Sequence, residues 1–143
     1  MRSPLSELTA AWLRHRHTRA ETDWWAIEEV WARVRDSDDP EDAWAVTLAL
    51  LAASSPADLE FVGAGPLEDF VERFAPTHIA RIEAEARRDP RFFASLGTIW
   101  LLRGDTLPDD IIDRVVAASG GAIATRHLSD LPPGPAPGAE HAV

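Results

Sequence analysis

The chain has 143 residues and no cysteine, so one core can bury about two-thirds of the unfolded surface without disulfides or thiolate metal sites, and no cysteine nucleophile exists. Every basic residue is arginine, and lysine, asparagine, glutamine and tyrosine are absent, which excludes a Schiff-base or P-loop lysine, a tyrosine acid and an amide-lined oxyanion hole. A formal net charge of -10 disfavours nucleic acid and anionic membranes, both of which require a basic face, and suits a basic protein partner.

The predicted elements begin at Ser3-Pro4, a capping oxygen before a proline fit for a first helical position, followed by Leu5, Leu8 and Trp12 at helical spacing. Arg14, His15, Arg16, His17 and Arg19 then complement the negative end of that helix. The second stripe is Trp24, Ile27, Trp31 and Val34. If Trp24 faces the core with Trp31, its neighbour Trp25 points about 100° away, toward another helix or the rim. Trp25 is therefore a candidate interface anchor.

Asp39-Pro40 starts a helix carrying Trp44, Thr47, Leu48 and Leu51, and Ser55-Pro56 starts a short turn that stops at Gly63. Gly65-Pro66 reads as a glycine-hinged start for Leu67, Phe70, Val71 and Phe74, and Ile79, Ile82 and Ala86 make a further segment. Asp89-Pro90 precedes Phe92, Leu96, Ile99 and Trp100, and Leu107-Pro108 precedes Ile111, Ile112, Val115 and Val116. No strand-like alternation competes. The expectation is an all-α fold, a compact irregular bundle of about six to seven helices in one domain over residues 1–121. After Gly120-Gly121 the periodicity fades into a Pro/Gly-rich stretch, predicted as a disordered tail over 122–143.

Ser6, Glu7 and Thr9 interrupt any signal-peptide core, and the longest apolar run, Ala43 to Ala53, is about half a bilayer span. A cytoplasmic location is expected. Among possible sites, Gly63-Ala64-Gly65 lacks the third glycine and preceding strand of a dinucleotide fingerprint. Glu68, Asp69 and Glu72 form an acidic group with His78 downstream, a set suited to acid–base work, but a first-turn position near the helix dipole already accounts for Glu68 and Asp69. His15 and His17 point about 200° apart on a helix and cannot share an ion. No metal or cofactor is expected, and no nucleophile elbow is present.

The blocks Trp24-Trp25-Ala26, Asp42-Ala43-Trp44, Ala64-Gly65-Pro66-Leu67-Glu68-Asp69, Ile82-Glu83, Ala86-Arg87-Arg88-Asp89-Pro90-Arg91-Phe92 and Leu96 to Trp100 together resemble an uncharacterised bacterial family, a domain of unknown function, from Trp24 to about Val116. Phe74-Ala75 stands where that family often carries His-Gly, and Ile112 lies where an aromatic is common. The resemblance implies an all-helical fold and no established activity.

Acidic charge, excess tryptophan and few catalytic side chains lead to the expectation of a non-catalytic protein–protein interaction module, of immunity or antidote type. The alternatives are a small hydrolase or lyase using Glu68, Asp69 or His78, and a small-molecule binder with an apolar pocket between the helices bearing Trp31, Trp44 and Trp100. The candidate binding residues are Gly65, Glu68, Asp69, His78 and Trp25; none is assigned as catalytic.

Overall fold

Aspartate before proline starts a helix because its carboxylate accepts an otherwise unpaired first-turn N–H while proline has none to lose. In the computed structural model, which describes residues 2–132, Asp39 accepts from the amide of Asp42 at 3.2 Å and Asp89 from that of Arg91 at 2.9 Å. Ser55 and Asp58 form a reciprocal capping box. The elements in order are α1 (Leu5–Thr18), α2 (Trp24–Val30) extended by a π-helical turn (Trp31–Arg35), α3 (Pro40–Ala53), α4 (Leu59–Val62), a second π-helical turn (Gly63–Leu67), α5 (Glu68–Arg88), α6 (Pro90–Leu96), β1 (Trp100–Arg103), α7 (Asp109–Ala118) and β2 (Ala124–His127). Six helices of seven or more residues make up a mostly helical bundle.

Its core is aromatic at the centre, where Trp44 packs against Phe70 and Phe92 with ring centroids 5.0 and 5.7 Å away. Leu8, Val30, Leu50, Ile82, Leu96 and Ile112 belong to the same buried cluster. Arg33 is buried too. It donates to both carboxylate oxygens of Asp42 (3.0 and 2.8 Å), to Glu29 (3.0 Å) and to the Ser3 carbonyl (3.0 Å). The Ser3 hydroxyl, expected to cap α1, instead donates to Glu29 at 2.8 Å and joins the chain start to this cluster.

Several sequence expectations change. The segments anticipated at 67–74 and 79–86 form one helix, α5, which runs through Pro76 because Phe70, Val71, Phe74, Ala75, Ile79 and Ile82 continue a single buried face. Gly63-Ala64-Gly65 is not a hinge. It lies inside a helical turn that joins α4 to α5, and positive φ occurs only at Gly104, Gly120 and Gly121 among the described glycines. Gly63 serves close packing: a Cβ there would stand 2.4 Å from the Ser95 carbonyl oxygen at the end of α6. Gly65 precedes Pro66, whose ring presses on the Cβ of a preceding helical residue.

Helix α6 ends at Leu96, and Trp100, expected on its buried stripe, opens β1 with 49% exposure. The apolar run Ile99-Trp100-Leu101-Leu102 between Gly97 and Gly104 suits a short strand as well as a helix, and periodicity cannot separate the two at that length. Strand β1 pairs in parallel with β2, Trp100 opposite Ala124 and Arg103 opposite His127, with α7 as the crossover. Strand β2 lies in the stretch expected to be a disordered tail from 122 onward, and Ile123 before it is buried. All four β2 residues are exposed, so no alternation marked them. The remainder of that predicted tail, 133–143, lies outside the described residues.

Candidate functional site

The continuous helical passage from α4 to α5 sets Phe61, Gly65, Pro66 and Asp69 beside the end of α1 and the end of α2. Trp12 and Arg16 share one face of α1 at i, i+4 spacing, and Ile27, Val30 and Trp31 come from α2 and its extension. Together these residues enclose a pocket of about 220 Å³. Its walls are aromatic, with Arg16 and Asp69 as its charged members.

The pocket opens onto an aromatic face. Trp24, 41% exposed, lies 5.5 Å from Trp31, edge to face, and 5.5 Å from the buried His15 ring. Phe61 is 42% exposed, with the Arg16 guanidinium 4.1 Å over its ring, while that of Arg35 lies 4.8 Å over Trp31. The order expected within the tryptophan pair is reversed: Trp24 is exposed, and Trp25 is half-buried against the core at another hollow, lined by Arg14 and Asp23. The set Trp31, Trp44 and Trp100 does not converge, since Trp44 is core and Trp100 lies on β1.

Asp69 also lines a second, more polar hollow of about 350 Å³ with Arg35, Glu72, Arg73 and Thr106. Burial pushes its carboxyl up to about 6; Arg35 opposes the shift, and Glu68 and Asp36 add to it. Glu72 is raised as well, by desolvation first and then by Glu68, Asp69 and Asp105, although its exposed side chain lets solvent screen much of that crowding. The helix-dipole account of Glu68 and Asp69 gives way here, because α5 continues from a helical turn and has no free N–H fringe at its start. Glu68 instead accepts the amide of Trp100 at 3.0 Å and moors β1, while burial raises its own carboxyl.

His78 does not join this acid group. It sits more than two helical turns beyond Asp69, bonded to Thr77 at 2.7 Å and edge-on to Phe70 and Phe74. Ser55, Asp58 and His17 are connected, with the Ser55 hydroxyl donating to Asp58 at 2.9 Å and His17 Nε2 2.9 Å from its other oxygen. The carboxylate stands in the middle of that chain, so the imidazole cannot take the serine proton as a nucleophile requires. Among the described residues no three His, Asp or Glu side chains converge as a metal requires, and no helix is long and apolar enough to cross a membrane.

Of the residues singled out from the sequence, Gly65 and Asp69 line this pocket; Trp12, Arg16 and Phe61, which also line it, were not among them. The Trp12–Arg16 spacing was the available signal. Phe61 had none, because its partners come from elements distant in the chain.

The raised carboxyl of Asp69 has a testable consequence for stability. The folded state holds this proton more tightly than the unfolded state, so its contribution is complete below pH 4 and disappears as pH rises through about 6. Asp69→Asn is therefore expected to match the parent at pH 4 and to exceed it by about 1–3 kcal/mol at pH 7. Urea unfolding across that pH range provides the measurement, and parallel curves would refute the assignment.

No curated protein matches the chain, and neither does any solved structure. Over residues 14–123, most of the chain and all of the pocket except Trp12, the sequence matches the model of a family of unknown function, DUF6869. By that match the chain belongs to this family, and the observed mostly helical fold is its structural description.

Proposed function

We propose that the protein is a non-catalytic interaction module that docks a partner protein through the aromatic face around Trp24, Trp31 and Phe61. Pocket size is the observation that carries this reading. Small-molecule sites span about 300–1,000 Å³, whereas a cavity of about 150 Å³ holds a benzene ring. A pocket of about 220 Å³ has room for one side chain.

The surroundings support the same reading, since exposed Trp and Phe flanked by Arg compose a typical interface hot spot. An immunity or antidote role is the version of this function that an acidic chain poor in catalytic side chains suits best. The rings of Phe61 and Trp31 on the docking face carry the guanidinium groups of Arg16 and Arg35, so the segment that enters it need not share the basic character suggested by the net charge. The test is site-directed photo-crosslinking in the native cell. With benzoylphenylalanine at position 61 or 24, one partner should be trapped, and the same probe at Phe93 or Trp100, which are exposed elsewhere, should not trap it. Equal trapping from all four positions would defeat the assignment.

A hydrolase or lyase reading is favoured by one observation, the raised pair Asp69 and Glu72 on successive turns of α5. In that version Asp69 is the proton donor in the polar hollow, without His78.

A further inference from the structure

We propose that the Trp12–Trp31–Phe61 pocket receives an aromatic side chain from an acidic segment of the partner, with a carboxylate adjacent to that side chain pairing with Arg16. The inference rests on the docking face described above and adds the chemistry of what docks there.

Arg16 is the central observation. Its Nε is buried without a hydrogen-bond partner, and neither Arg16 nor Arg19 enters an ion pair among the described residues. Arg14, two residues earlier, is paired with both oxygens of Asp23 at 2.9 and 2.7 Å. Burial and the neighbouring charge of Arg19 both push the Arg16 guanidinium downward in pKa, and only the Asp58 carboxylate opposes them. The Phe61 ring beneath it offsets part of the cost of desolvation, but a ring supplies no acceptor for the N–H groups. An incoming carboxylate supplies one, and a half-buried guanidinium with an empty fork holds it by charge-assisted bonds.

Charge extends the argument from one carboxylate to an acidic segment. In a chain of net charge -10, Arg16 and Arg19 are cations without an ion pair among the described residues; Asp69 is the one carboxylate lining the pocket, and Arg35 stands over Trp31 with its charge shared by Asp36. Volume sets the anchor. A cavity of about 150 Å³ is enough to hold a benzene-sized ring. The rest of the 220 Å³ leaves space for the atoms that join such a ring to its backbone.

The full chain can be titrated calorimetrically with three synthetic peptides: acetyl-Asp-Glu-Phe-Glu-Asp-amide, its neutral analogue acetyl-Asn-Gln-Phe-Gln-Asn-amide, and the acidic peptide with Ala in place of Phe. The acidic Phe peptide should bind at least about tenfold tighter than the neutral one, and Arg16→Gln or Arg16→Met should remove that preference. Equal binding of acidic and neutral Phe peptides, with the Ala peptide weaker, would overturn the carboxylate pairing and leave the docking pocket standing. Indifference to Phe, or to Trp31→Ala, would overturn the docking reading and this inference together. The comparison of peptides on the parent chain decides the matter even if an Arg16 variant fails to fold.

Discussion

Replacing Arg33 with alanine is expected to lower the unfolding free energy by about 3–5 kcal/mol, because the partly buried carboxylate of Glu29 then loses its cation and that of Asp42 keeps only the exposed Arg2 at 3.3 Å. The loss should register in urea unfolding followed by tryptophan fluorescence. Charge repulsion and desolvation predict a second result that simple loss of packing does not. The triple variant Arg33→Met, Glu29→Gln, Asp42→Asn should recover most of the stability lost by Arg33→Met alone, since a buried ion cluster replaced as a whole leaves no stranded charge. If the triple variant is no better than the single one, the cluster acts through shape and the electrostatic account fails. The site also fixes the start of the chain, because Ser3 is bonded to both Glu29 and Arg33.

Gly63→Ala is expected to destabilise by about 3 kcal/mol, at the upper end of overpacking costs. The added methyl would meet Thr98 Oγ1 at 2.0 Å and the Ser95 carbonyl oxygen at 2.4 Å. Thr98→Ala in the same chain should restore only part of the loss, since it clears the hydroxyl and leaves the backbone carbonyl in place. Full rescue would show that the clash lies with the side chain alone. Gly65 provides the contrast, for its Cβ meets nothing within 4 Å outside its chain neighbours.

Proline and aspartate made most of this fold legible. At Asp39-Pro40 and Asp89-Pro90 cap and helix depend on residues adjacent in sequence, and both helices begin where those pairs place them. Local rules failed where distant chemistry intervened. Nothing near Ser3 announces that its hydroxyl is drawn to Glu29, and nothing near Glu68 announces that its carboxylate holds the amide of Trp100. The glycines misled for a related reason, since Gly63 answers to a carbonyl more than thirty residues away and not to a turn of its own. At the candidate site the acidic run was visible, but burial reverses the effect expected of Asp69: a dipole would lower its pKa, whereas the hollow raises it. Proximity along a helix is not convergence, and α5 carries His78 more than two turns beyond Asp69.

Asp69 lines both hollows. Whatever fills the aromatic chamber withdraws water from a carboxyl that the polar chamber also sees, so occupancy on one side and proton uptake on the other are tied by thermodynamic reciprocity. One acid in a shared wall thus lets two separate surfaces influence each other without a moving part.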